Sequence, residues 1–274
     1  MTQISILGCG WLGLPLAKTL LENDFSVKGS TTSNDKLSML KNSGIQPYLI
    51  SVTEDEIVGN LTDFLENSKI LIIDVPPKLR GSEKENFVSK IRNLIPFIEK
   101  SSVENVIFIS STSVYGDTST TLSVTEETKT YPDTESGKQL VLSEELLQSN
   151  PNFKTTILRF GGLIGEDRHP IKFLAGKTNL ENPNAPINLI HQDDCIGIIL
   201  EILRQAHNDN LEWNETFNAV APFHPSRQEY YTQKALEFNL ALPEFNLESP
   251  TFGKIISSDK VETVLEYTFK KPNL

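Results

Sequence analysis

The sequence predicts a doubly wound α/β fold: a parallel sheet with helices on both faces, followed by a smaller C-terminal α/β unit. Three observations predict it. Short apolar runs alternate with helical patterns through the first 160 residues. A Gly-x-Gly-x-x-Gly turn joins the first run to the first helical stretch. The rhythm then breaks in the last third, where Pro and Asn cluster.

The candidate strands are QISIL (3–7), FSVKGS (25–30), PYLIS (47–51), KILIIDV (69–75), ENVIFIS (104–110) and KTTILRF (154–160). They are short and rich in Ile and Val, as strands buried on both faces should be. The clearest helical stretch spans 84–100, where Phe87, Ile91, Leu94, Ile95 and Ile98 fall on one face. Strand and helix in repeated alternation mean a parallel sheet covered on both sides. NLENPNAPIN (179–188) is a loop signature. A helix over about 192–206, a strand at ETFNAV, and a turn into a further helix at APFHPSRQEYY follow. The last fifty residues, with several prolines and short strands, read as a less regular unit over the sheet edge.

Composition excludes several classes. The 274 residues are 38% hydrophobic and 22% charged, ordinary for a globular chain. Asp and Glu number 36 against 25 Lys and Arg, a net charge of −11. A basic footprint for nucleic acid is missing, and an anionic membrane surface would repel the protein. The N-terminus has no signal-peptide pattern, and no apolar run approaches the ~20 residues that cross a bilayer. The expectation is a cytoplasmic protein with no nucleic-acid or membrane partner. Cys9 and Cys195 suggest neither a disulfide nor a metal site, and the four histidines form no close ligand cluster.

In ISILGCGWLGLPLA, Gly8, Gly10 and Gly13 follow a strand and open a helix. That context marks a dinucleotide-binding turn of the Rossmann type, with Cys9, Trp11 and Leu12 completing the loop. Gly8 allows the tight turn, Gly10 lets backbone approach a pyrophosphate, and Gly13 lets helix and strand pack closely. The helix start offers unpaired N–H groups and a positive dipole end. A purely structural glycine turn is the competing reading. The second strand ends in GSTTSNDK (29–36), without the acidic residue that would hold the ribose 2′-hydroxyl of NAD. Ser30, Thr31 and Thr32, with Lys36 nearby, instead suit a 2′-phosphate, which favours NADP over NAD; a plain turn into the next helix is the competing reading. Val75 and Pro76 in LIIDVPP should border the cofactor.

FISSTSVYGD (108–117) follows the fifth strand, at the carboxyl edge where ligands of open α/β sheets sit. It places Ser110 and Ser111 near a nicotinamide. The chain resembles the extended short-chain dehydrogenases/reductases, the NAD-dependent epimerase/dehydratase family. The resemblance implies that Ser111 is the active-site hydroxyl and that a Tyr-x-x-x-Lys follows on a helix. The counterpart here is SGKQL, with Ser136 in the tyrosine position and Leu140 in the lysine position. A serine hydroxyl is a far weaker acid than a phenol, whose reference pKa is about 10. Tyr131 does not restore the motif, because Glu135 stands four positions on. The chain is therefore similar to the atypical branch and, within it, to the bacterial YeeZ-like proteins. Matching strings run nearly end to end: LGCGWLGLPLA, SSTSVYGD, RFGGLIGEDRHPIKFLAGK, INLIHQDD, FNAVAPFHPSRQEYY and GKIISS.

The resemblance implies a dinucleotide-binding domain over 1–165 with 188–220, and a substrate-side unit over 166–187 with 221–274. It also implies a small-molecule substrate of the sugar or nucleotide-sugar class. Arg168, His169 and Lys172 could face its anionic part, Arg by its bidentate fork; pairing of Arg168 with Glu166 or Asp167 is the alternative. Asp74 is a further candidate acid, since a buried lone carboxylate has a raised pKa. His191, Asp193 and Asp194 read as structural, with an acid capping the following helix. Tyr115 reads as packed behind Ser111, and His224 and Arg227 either contact substrate or belong to an N-capped helix. Three functions remain open: an NAD(P)-dependent oxidoreductase or epimerase-like enzyme, a non-catalytic NADP(H)-binding sensor, and a protein that uses only the fold. The oligomeric state is not read from the sequence.

Overall fold

A computed structural model describes residues 1–77, 79, 85–120, 122–208 and 211–274. The six expected strands form, with a seventh from ETFNAV: β1 (Gln3–Leu7), β2 (Ser26–Thr31), β3 (Gln46–Leu49), β4 (Ile70–Ile73), β5 (Asn105–Ser111), β6 (Lys154–Phe160) and β7 (Thr216–Ala219). They make one parallel sheet in the order β7-β6-β5-β4-β1-β2-β3. The order reverses between β1 and β4, which opens a crevice at the carboxyl ends of those two strands.

The alternation of the strands separates two cores. Ile4, Ile6, Ile70, Ile72 and Ile107 point to one face. There they meet Leu16 and Leu20 of α1 (Gly13–Glu22) and Ile198, Ile199 and Ile202 of α7 (Gln192–His207). Leu7, Leu71, Ile73, Val106 and Phe108 point to the other. This face packs Phe64 of α3 (Leu61–Leu65), Phe87, Ile91, Leu94 and Ile98 of α4 (Phe87–Glu99), and Leu140 and Leu147 of α5 (Glu135–Gln148). Burial on both faces explains why the strands read as continuous apolar runs. The expected helix over 84–100 forms within its bounds; Lys84 lies outside the described residues. A short α2 (Leu37–Asn42) follows β2.

A third, smaller core joins Ile164, Ile171, Ile187 and Leu189 to Tyr230, Tyr231 and Ala235. It lies between α6 (Ile171–Leu174) and α8 (Arg227–Glu237). The strand pair 162–164 and 189–191 runs beneath it. Residues 254–256 pair with 122–124, and α9 (Asp259–Val264) returns the tail toward β7. No helix among the described residues is long and apolar enough to cross a membrane.

Asp194 ties that tail down. Its buried carboxylate accepts from Tyr267 Oη at 2.9 Å and from the backbone N–H groups of Lys270 and Lys271 at 2.6 and 3.1 Å. The structural reading of His191 and the acids therefore changes in detail. The N-cap of α7 is His191 itself, whose Nδ1 accepts from Asp193 N–H at 3.2 Å, and Asp194 holds the C-terminus instead.

Candidate dinucleotide site

The crevice at the switch point is a groove of about 360 Å³ along the carboxyl ends of β1, β2 and β4. Its floor is the glycine loop, and each glycine has a separate reason. Gly8 has φ +111°, and a Cβ there would lie 2.3 Å from the Asp74 carbonyl oxygen. A Cβ on Gly13 would lie 2.2 Å from the Gly8 carbonyl, so α1 docks on β1 only without one. Among the described residues, Gly10 has nothing within 4 Å of its Cβ direction. Its Cβ side faces open space at the start of α1, where the N-cap residue Leu12 supplies no side-chain cap and the Asp74 carboxyl stands against the Gly13 N–H. Such an end accepts phosphate oxygens, and the residues present fit a dinucleotide's pyrophosphate.

Ser30 lines the groove as expected of a residue at this strand end, and its hydrogen bonds run to the glycine loop. Its buried Oγ accepts from Gly8 N–H at 2.9 Å, and its carbonyl accepts from Cys9 N–H at 2.7 Å. Ser30 shapes the glycine loop from below. Thr31, also buried, accepts from Ser33 N–H at 3.1 Å. That leaves Thr32 and Lys36 exposed at the groove rim beyond β2. Val75 and Pro76 line the opposite wall, and Ile50, Val52 and Thr53 close the far end. The Cys9 thiol, pushed up to about 12 by burial and by the charge of Asp74, is inert.

Asp74 lies inside the glycine loop. Its carboxyl stands 3.0 Å from the Cβ direction of Gly13. Burial raises its pKa to about 7, while the Gly13 N–H pulls it down. It is thus placed under the start of α1, against the same turn that Gly10 opens.

The two serines of the fifth strand diverge. Ser110 is buried and donates to Glu144 Oε1 at 2.5 Å, away from the groove, which corrects the expectation that it borders the nicotinamide. Glu144 is held by Arg159, with Nη2 to Oε2 at 2.6 Å. Arg159 Nη1 donates to Tyr115 Oη at 2.6 Å, and that hydroxyl reaches Asn218 Oδ1 at 3.1 Å. Tyr115 is accordingly packed behind the strand. Ser111 is half-buried at the carboxyl end of β5, where its Oγ accepts from Ser113 N–H at 3.2 Å. The first turn of α5, capped by Thr134, packs against that serine turn: a Cβ on Gly137 would lie 2.2 Å from the Ser113 carbonyl. Ser136 is therefore beside the Ser111 turn, while Leu140 is buried in the core.

A Tyr-x-x-x-Lys spacing that sequence reading passed over occurs at Tyr230 and Lys234 in α8. Tyr230 is buried in the small core, and its hydroxyl is 2.9 Å from His169 Nε2. His169 Nδ1 accepts from Ile171 N–H at 3.1 Å. Burial, with Lys234 and Lys172 nearby, lowers the His169 pKa to about 4. Both ring nitrogens are engaged, so the expectation that His169 faces a ligand is corrected: it is a core residue. Arg168 is exposed but lies over the Trp11 ring, 5.0 Å from its centroid. Among the described residues no carboxylate is within ion-pairing distance of it.

A Rossmann sheet with this groove at its switch point defines a dinucleotide-binding protein. Residues 8–203 match a family model described as NAD(P)H-binding, and the chain belongs to that family. Over its full length it is 35% identical to Protein YeeZ of Escherichia coli K12, covering 97% of that protein, and it belongs with the YeeZ-like proteins. The fold is that of the extended short-chain dehydrogenase/reductase enzymes. It matches a UDP-glucuronic acid 4-epimerase from Bacillus cereus, solved in complex with NAD, at a TM-score of 0.80 and 19% identity, over 98% of this chain and 92% of that one. A UDP-N-acetylglucosamine 4-epimerase from the same organism matches at 0.77 and 17%, with 98% and 92% coverage.

Proposed function

We propose that the protein is an NAD(P)-dependent oxidoreductase or epimerase-like enzyme acting on a hydroxyl or carbonyl of a sugar or nucleotide-linked compound. The observation that carries this reading is the open space over Gly10 at the start of α1. Bound NAD(P) supplies hydride transfer; the chain supplies placement. Ser111, at the carboxyl end of β5, is the hydroxyl that orients the substrate oxygen. Residues 166–187 with 221–274 form the substrate-side unit, and Arg168 lies over Trp11 of the glycine loop on that side. NADP is favoured over NAD: residues 29–34 carry no acid, Asp35 does not line the groove, and Lys36 does. The likeness to epimerases of nucleotide sugars supports the substrate class.

Ser136 and Leu140 favour a second reading, a non-catalytic NADP(H) sensor. Loss of a positioned acid/base group costs roughly 100- to 10,000-fold in rate. Calorimetric titration with NADPH and NADH, followed by a hydride-transfer screen against UDP-sugars and simple aldoses, separates the readings. Micromolar NADPH binding with turnover that falls in Ser111→Ala supports the enzyme. Binding without any turnover leaves the sensor, and absence of binding to both nucleotides overturns both.

A further inference from the structure

The Trp11 side chain leaves the glycine loop for a part of the chain that sequence places on the substrate side. Its indole Nε1 donates to Asp167 Oδ1 at 2.8 Å. The Arg168 guanidinium covers the ring at 5.0 Å. Gly165 forms the floor of the socket, since a Cβ there would sit 2.8 Å from the Trp11 ring. The socket is itself a closed turn, with Gly165 N–H donating to Arg168 C=O at 2.8 Å and Arg168 N–H returning to Gly165 C=O at 3.2 Å. Lys172 Nζ braces it through the Asp167 carbonyl at 2.9 Å. On the backbone side, the Trp11 carbonyl accepts from Gln192 Nε2 at 2.7 Å, at the start of α7.

The socket continues into the small core. His169 follows Arg168 directly and is fixed on Tyr230 of α8, with stacked rings 5.6 Å apart and Phe238 edge-on at 5.3 Å. A continuous chain of contacts thus runs from the glycine loop through Trp11, the 165–168 turn and His169 to α8. Trp11 also contributes backbone to the turn where a pyrophosphate would sit, two residues before the first helical residue. A phosphate that pulls on this backbone must move the indole or be resisted by its socket.

We propose that Trp11 is a positioning residue that couples dinucleotide occupancy of the glycine loop to the substrate-side turn 165–169 and, through His169, to α8. The indole hydrogen bond and the cation–π contact hold the turn against the loop. Ordering one end therefore orders the other, and the reverse holds with the same coupling factor. The coupling serves either reading of the protein: it assembles the substrate side in an enzyme, and it carries the signal in a sensor. It rests on dinucleotide binding at the glycine loop.

Hydrogen exchange of the full chain, read by mass spectrometry with and without NADPH, tests this, beside tryptophan emission in a Trp213→Phe background where Trp11 is the sole indole. NADPH should slow exchange in 8–14 and also in 165–172 and 227–237, and should shift Trp11 emission. Asp167→Ala and Arg168→Ala should keep the protection of 8–14 but lose it in 165–172 and 227–237. Their affinity for NADPH should fall by about three- to tenfold, the scale of one cation–π contact or one hydrogen bond. Asp167→Asn, which retains an acceptor, should restore the transmission. Protection confined to 8–14 in the wild type overturns the coupling while leaving dinucleotide binding intact. Absence of protection everywhere instead defeats dinucleotide binding, and the coupling with it. A second arm needs no nucleotide: Arg168→Ala alone should speed exchange in 10–14, and unchanged exchange there counts against the clasp.

Discussion

Arg159 and Glu144 form a buried ion pair, Nη2 to Oε2 at 2.6 Å, with Ser110 and Tyr115 completing the hydrogen bonds of the two side chains. The pair lies under the serine strand and fixes both the direction of Ser110 and the packing of α5 on β5 and β6. Removing one partner strands a charge in the core. Glu144→Gln or Arg159→Met should therefore destabilise the fold by about 3–5 kcal/mol. The double variant Glu144→Gln/Arg159→Met should be less damaged than the sum of the two single changes, because neither charge is left alone. Urea denaturation of the four proteins checks this; additive losses would argue against the pair acting as a unit.

Gly10 and Gly13 should separate binding from folding. Gly13→Ala places a methyl 2.2 Å from the Gly8 carbonyl, so α1 must move, and both stability and NADPH affinity should fall. Gly10→Ala meets nothing within 4 Å among the described residues, so its melting temperature should stay within about 3 °C of the wild type. The same methyl occupies the approach of the phosphates, and NADPH affinity should drop at least tenfold. Calorimetry and thermal melting on both variants decide it. Tight binding by Gly10→Ala would place the pyrophosphate elsewhere.

Most of the fold was legible because both faces of the sheet are buried. Ile4, Ile70 and Ile107 announce one core and Leu71, Ile73 and Phe108 the other, so the apolar runs fall within a residue or two of the strands. The glycine loop was legible because its three steric demands are local. What sequence could not reveal is where a short polar side chain spends its hydrogen bond. Ser30 turns under Gly8, Ser110 turns to Glu144, and His169 turns to Tyr230; each choice depends on a partner distant in the chain. The Trp11 socket is the extreme case, since Trp11 and Asp167 are 156 positions apart. The exchange of roles between His191 and Asp194 has the same origin: the C-terminal tail that claims Asp194 carries no local signal.

Lys36 and Thr32 should set the choice of nucleotide. Both stand exposed at the rim beyond β2, while Ser30 and Thr31 are committed to backbone partners. Lys36→Ala should weaken NADPH by about fivefold or more and leave NADH nearly unchanged, the loss of one exposed charge pair with a phosphate. Thr32→Asp should reverse the preference, since a carboxylate repels a 2′-phosphate and accepts from a 2′-hydroxyl. The ratio of the two dissociation constants at fixed salt is the measurement. An unchanged ratio in both variants would assign recognition of the adenosine ribose to other residues.

Asp74 gives the site a pH dependence of defined sign. Its folded pKa, about 7, lies above the ordinary 3.8, chiefly through burial. Between those values the folded chain holds a proton that the unfolded chain has released. The Asp74 contribution is therefore present at low pH and is lost as pH rises toward 7, with a slope of at most about 1.4 kcal/mol per unit. Asp74→Asn should flatten that part of the stability curve. A pyrophosphate beside the same group adds negative charge and favours its protonated form, so NADH, whose phosphates do not titrate in this range, should bind with uptake of a proton near pH 7. Affinity should decline from pH 6 to 8.5 in the wild type and stay level in Asp74→Asn. The buried thiols of Cys9 and Cys195 and the groove residues Lys36, Glu85 and Lys90 are common to both proteins, so the difference isolates Asp74. Calorimetry in phosphate-free buffers of differing ionisation enthalpy counts the proton directly. Equal proton uptake in both proteins would move the titration to another group and would leave Asp74 as a packing residue beneath Gly13.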